Sequence, residues 1–116
     1  MNMKKFFIAA TLALGMATTM QAANATTTDE LLQYCKGEGN TNMTCQIYGQ
    51  AVYDTYLATR NSKTAPSKIC IKQPAPSRLQ VVDEFIAWVN ANPASGKKPA
   101  AETMLKFLEG VFPCAK

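Results

Sequence analysis

The sequence contains no histidine. That absence removes the side chain most often used as a general base near neutral pH, and with it the commonest transition-metal ligand. Charge is scarce too: 17% of the 116 residues are Asp, Glu, Lys or Arg, and the formal net charge is +4. The basic residues are scattered, and Lys97-Lys98 is too short a run to follow a line of phosphates, so nothing argues for nucleic acid as a partner. Glycine and proline number six each, too few for a collagen or a low-complexity chain. No apolar run reaches the roughly 20 residues that cross a bilayer. What is present, 47% apolar residues in a chain of this length, fits one globular domain.

The first 25 residues read as a leader rather than as part of the fold. Lys4 and Lys5 supply a charged start, and Phe6 to Met16 an apolar stretch of 11 residues. Ala23-Asn24-Ala25 then places small residues at −3 and −1 of a signal-peptidase cut. A cut after Ala22 would put the larger Met20 at −3. The expected mature chain is therefore 26–116, with 10 basic and 8 acidic residues.

Export changes the meaning of the cysteines. Cys35, Cys45, Cys70 and Cys114 all lie in the mature part, and thiols oxidise in an exported protein. A metal site would need Cys-x-x-Cys spacing or histidine, and the sequence has neither. Two structural disulfides are expected, in one of three possible connectivities.

The mature chain reads as all-α, a small four-helix bundle stapled by those disulfides. Thr27-Thr28-Asp29-Glu30 is a capping box that opens a short first helix, and Gly37-Glu38-Gly39-Asn40 ends it in a turn. A second helix is predicted from near Thr44 to about Arg60, with Cys45, Tyr48, Val52 and Tyr56 on its buried face. Asn61 to Pro76 lacks periodicity and reads as a connection. Ser77-x-x-Gln80 forms a second capping box for a third helix. There Leu79, Val81, Val82, Phe85, Ile86, Trp88 and Val89 cover about half the circumference, more than the roughly 100° that one core needs. Asn90 to Pro93 ends that helix. The fourth opens near Pro99, buries Met104, Leu105, Leu108, Val111 and Phe112, and stops at Pro113.

This layout favours one connectivity. The short link between the third and fourth helices makes them antiparallel neighbours, which brings Cys70 to Cys114. Cys35 and Cys45 flank the turn between the first two helices. The expected pairs are therefore 35–45 and 70–114.

Catalytic machinery is not legible. A nucleophile needs a base, and the cysteines are expected to be paired. Asp83 and Glu84 are neighbours on a helix and point about 100° apart, so they do not form a dyad. Gly37-x-Gly39 lacks the strand and the third glycine of a dinucleotide loop. The protein is read as a non-enzyme without metal or cofactor.

One family resemblance runs through nearly the whole mature chain. Cys45-x-x-Tyr48-x5-Asp54, then Cys70, then Leu79-Gln80-Val81-Val82 with Asn92-Pro93, and the ending Phe112-Pro113-Cys114 resemble the Rap/Tai immunity proteins. Ala51 stands where that family often has glycine, and Ile71 follows Cys70 where proline is usual.

The resemblance implies a small periplasmic protein that binds a cognate type VI secretion peptidoglycan amidase effector and occludes its active site. It also implies a homodimer, for which Val81, Phe85 and Trp88 on the wide apolar arc would form the seam; the equal alternative is that this helix is simply central to the bundle. A loop pushed into the amidase cleft would be Asn92 to Lys98, with Ser95, Gly96, Lys97 and Lys98 making contact. Gln80, Asp83 and Glu84 on the polar side of the third helix would add to that contact. The alternative class is a small periplasmic acid-stress chaperone, which would dissociate at low pH and expose apolar surface. The lack of histidine leaves such a chaperone without a switch near neutrality.

Overall fold

The computed structural model describes residues 24–115. Apart from Asn24 and Ala25, the leader expected over 1–25 lies outside the described residues. Four α-helices make up the fold: α1 (Thr28–Cys35), α2 (Asn40–Thr59), α3 (Arg78–Ala91) and α4 (Ala100–Val111). A single 3-10 turn, Pro93–Ser95, lies between the last two. Among the described residues there are no strands, only isolated antiparallel bridges of Thr27 with Pro99 and Ile69 with Pro113.

The first capping box forms as its sequence demands. Thr27 Oγ1 accepts from the Glu30 amide, and Glu30 Oε2 accepts from the Thr27 amide at 2.7 Å. The second forms only in half. Ser77 Oγ accepts from the Gln80 amide, but the Gln80 side chain donates forward to Glu84 instead of back to the cap.

Helix α2 begins four residues before its predicted start. Gly39 adopts a left-handed φ of 59°, a conformation that glycine reaches without cost, and the chain enters the helix directly after it. Asn42 then sits in the first turn and donates from Nδ2 to the Cys35 carbonyl at 2.8 Å, satisfying an orphan group at the end of α1. This tight reversal brings Cys45 to Cys35, and the two form a disulfide.

The core is drawn from all four helices. Leu31, Leu32 and Cys35 come from α1 and Cys45 from α2; Val82, Phe85 and Val89 come from α3; Ala100, Met104, Phe107 and Leu108 come from α4. Phe85 and Phe107 meet edge to face with centroids 5.3 Å apart, and Trp88 closes on Phe107 at 6.2 Å. Ile69 in the long connection is buried, and the Cys70 amide donates to the Phe112 carbonyl at 2.8 Å. Those contacts and the Cys70–Cys114 disulfide join the entry to α3 with the exit of α4, as antiparallel packing of the two helices requires.

The wide apolar arc of α3 is now resolved into parts. Its centre, Val82, Phe85 and Val89, is buried in the monomer. Val81 and Trp88 lie together on one flank, roughly 80° from that centre at 100° per residue. Ile86 and Leu79 lie on the other flank, where Leu79 is 56% exposed in the first turn.

Candidate functional site

The connection between α3 and α4 is built from the inside outward. Asn92 ends α3 and donates from Nδ2 to the Trp88 carbonyl at 2.8 Å. Ser95 turns its hydroxyl back to the Asn92 carbonyl at 2.7 Å, and the Gly96 and Lys98 amides donate to the Pro93 and Ser95 carbonyls. Pro93 fixes its own φ at the start of the 3-10 turn. The result is a short run whose own hydrogen bonds specify its shape.

The same run is also tied to the start of α1. The Asp29 amide donates to the Gly96 carbonyl at 3.0 Å and the Thr28 amide to the Lys98 carbonyl at 2.9 Å. The first amides of a helix have no partner within it, so these loop carbonyls do the work of a cap. Lys97 Nζ stands 3.5 Å from Asp29 Oδ2, a solvent-exposed pair of small energetic weight. Outward, the chain presents Asn92, Pro93, Ala94, Lys97 and Lys98, all exposed. A recess of about 490 Å³ beside them is lined by Trp88, Ala94, Ser95, Lys98, Thr103 and Lys106 among others.

A family model of the Rap1a immunity proteins matches residues 27–114. The chain belongs to this family. Neither a curated protein nor a solved structure matches it. In this Rap1a immunity protein the matched span opens on Thr27, which caps α1, and closes on Cys114, half of the second disulfide. Every helix of the fold therefore lies within the family's span. An immunity protein acts by binding a toxic effector, so its chemistry is that of a complementary surface.

The residues expected to make that surface divide into three groups. Lys97 and Lys98 are exposed at the loop, as expected. Ser95 and Gly96 are buried instead, because both face α1 and the inside of the turn. Gly96 has a φ of −54°, open to any residue, and a Cβ there would meet only the end of the exposed Asp29 side chain. Gln80, Asp83 and Glu84 lie toward the far end of α3, roughly 12–18 Å along the helix axis from Asn92. Gln80 and Glu84 there line an open recess beside Cys70 and Pro113. A contact embracing both groups would have to run the length of the helix.

The expected dimer seam needs a correction. Phe85 is fully buried in the monomer, against Phe107, and cannot meet a second copy. Sequence reasoning placed Thr28 in a cap and Asn92 at the start of the loop but missed the bonds by which they and Thr103 hold the loop in place. Their only signal in the sequence is polarity at helix ends, which normally reads as solvation. Also missed was an apolar cleft of about 310 Å³ between α2, α3 and α4, floored by Val82, Phe85 and Met104.

The α1 cap carries a pH dependence of known sign. Two hydrogen bonds with Thr27, to its amide and its hydroxyl, hold the Glu30 carboxyl below its ordinary 4.5, with help from the nearby Lys97 charge. A carboxylate with a lowered folded pKa stabilises the fold above the unfolded value and loses that contribution as pH falls through the folded one. Acidification below about 4.5 should therefore loosen the α1 start, and Glu30→Gln should flatten that part of the profile. The Thr27 amide resonance, followed by NMR from pH 7 to pH 2, reads the titration directly. A midpoint at or above 4.5 would contradict the hydrogen-bonded carboxylate.

Proposed function

We propose that this Rap1a immunity protein is exported to the periplasm and inhibits a type VI secretion peptidoglycan amidase there, with the α3–α4 loop occluding the active-site cleft. One observation carries the reading: the loop is short, fixed by its own hydrogen bonds and by the start of α1, and exposes Pro93, Ala94, Lys97 and Lys98. A narrow, concave cleft is blocked at low entropic cost by a short element already in its bound shape. Pro93 and Ala94 are slim enough to enter it, and Lys97 and Lys98 can meet acidic groups at its rim. Export is supported by the leader-like start and by the two disulfides, which persist where thiols oxidise. The homodimer implied by the family likeness is retained with Val81 and Trp88 as its seam, without Phe85.

Deleting the loop would not test this reading cleanly, since its carbonyls cap α1. Substitution at the exposed apex does. Ala94→Arg combined with Lys98→Glu should leave the melting temperature within a few degrees of the parent. Inhibition of a type VI peptidoglycan amidase that the parent protein captures from candidate effectors should weaken at least tenfold, or roughly 1.4 kcal/mol. Full inhibition by this variant would remove the loop from the contact and point to the connection between Asn61 and Pro76.

A further inference from the structure

The N-terminal residues Thr26 to Asp29 make more contacts to the α3–α4 loop than a helix start requires. The Ala100 amide donates to the Thr26 carbonyl at 2.8 Å, on the far side of Pro99. Thr27 pairs with Pro99 in an antiparallel bridge. The Thr28 and Asp29 amides take the Lys98 and Gly96 carbonyls. Four consecutive residues thus hold the second half of the loop and its junction with α4, from Gly96 to Ala100.

Within that clamp lies a pair of side chains with no surface role. Thr28 and Thr103 are both fully buried, and their hydroxyl oxygens are 2.8 Å apart. Thr28 Oγ1 is also 3.1 Å from the Lys98 carbonyl oxygen. A hydroxyl has one hydrogen, so Thr28 cannot donate to both partners. A relay in which Thr103 donates to Thr28, and Thr28 to the Lys98 carbonyl, gives every hydrogen an acceptor. That relay joins three chain segments: the start of α1, the end of the loop and the first turn of α4. Alanine or valine at either position would fill much of the same space, so packing alone does not call for two threonines. Buried polar pairs of this kind are costly unless fully satisfied, and when satisfied they select one arrangement over its neighbours.

We infer that the Thr28–Thr103 hydroxyl pair is the positioning element of the inhibitory loop, holding it in the one conformation that fits the effector. The inference rests on the reading of the loop as the inhibitory contact. Neither threonine touches the effector; each acts through the Lys98 carbonyl. Valine keeps the shape of threonine but lacks the hydroxyl, so Thr28→Val and Thr103→Val should break the relay while preserving the fold. Loop amides should then exchange faster, and the looser loop should bind less well because ordering it opposes association.

Four variants of the full exported chain form the test: Thr28→Val, Thr103→Val, Thr28→Ser and Leu108→Ala. The last removes buried side-chain atoms at the other end of α4 and so serves as a stability control. Amide exchange at Gly96, Lys98 and Ala100 is measured together with inhibition of the type VI peptidoglycan amidase captured by the parent protein, well below every melting temperature. The two valine variants should show at least tenfold faster exchange at those amides and at least tenfold weaker inhibition. Thr28→Ser should restore both, and Leu108→Ala should change neither despite a lower melting temperature. Unaltered loop exchange or unaltered inhibition in the valine variants would overturn the inference, as would equal loss in Leu108→Ala. The Ala94→Arg, Lys98→Glu variant separates the two failures. If it loses inhibition while the valine variants keep theirs, the loop is the contact and the threonines do not position it. If it too inhibits fully, the loop is not the contact and the positioning role falls with it.

Discussion

Replacing Cys70 and Cys114 together by serine is expected to lower stability by about 2–5 kcal/mol. The bond spans 44 residues, and in the chain-entropy model a loop of that length restricts the unfolded chain by about 4 kcal/mol. The link also has a local job. It lies beside the Ile69–Pro113 bridge and the hydrogen bond from the Cys70 amide to the Phe112 carbonyl, which fasten the aperiodic connection to the exit of α4. Without it, that connection is held by buried Ile69, by Ile71 against the core, and by hydrogen bonds from the Cys70 and Lys68 amides to the Phe112 carbonyl and the Tyr56 hydroxyl. A domain this small has roughly 5 kcal/mol of net stability to lose, so the loss is expected to leave much of the population unfolded at 37 °C. Either single serine variant should cost nearly as much as the pair, because one bond is lost in every case. Urea denaturation of the three variants checks the claim. A double variant costing about twice either single one would show that the two sulfurs act independently.

Phe85→Ala should cost about 3–5 kcal/mol, the range for deleting a large buried aromatic side chain. Phe85 is fully buried, contacts Phe107 edge to face, and occupies the centre of the arc that α3 turns toward the core. Phe85→Asp is more severe, since it places an unpaired carboxylate in apolar surroundings, and it should abolish the native state outright. Far-ultraviolet circular dichroism and a thermal melt distinguish the outcomes. A folded, helical monomer from Phe85→Asp would mean that this side chain faces a partner subunit, contrary to its burial. Val81 lies on the flank of the same helix, where under the proposed homodimer polar substitution should affect association more than folding. Trp88 also packs on Phe107, so its loss should lower stability as well.

Helices were legible because the sequence repeats a few local signals. The Thr27 and Ser77 caps, the spacing of Val82, Phe85 and Val89, and Pro99 ahead of Ala100 each report a local preference that the tertiary structure keeps. The disulfide pairing was legible for a similar reason, since two antiparallel helices leave few ways to place their ends. The start of α2 was not, because Gly39 can end one helix and launch the next, and composition does not say which. The loop was the hardest part. Gly96 suits a tight tip by its type, yet its φ is −54° and what the fold uses is its carbonyl, which accepts from the Asp29 amide close beside it. That proximity joins residues about 70 positions apart in the chain, as Thr28 and Lys98 are, and no pattern of spacing reveals it. The polar residues of α3, Gln80, Asp83 and Glu84, stand apart from the loop for the opposite reason. They are close in sequence to the loop but lie up to three turns away along the helix axis.

The decisive measurement is a stoichiometric titration, with the purified, oxidised protein, of a type VI peptidoglycan amidase selected from candidate effectors by pull-down. Turnover of cross-linked muropeptides is followed as immunity protein is added at fixed enzyme concentration, and the complex is weighed by sedimentation. The account predicts a linear fall in activity that ends at one immunity chain per amidase, with the two proteins sedimenting together. Undiminished turnover at a molar excess of immunity protein, with the two sedimenting apart, would contradict it.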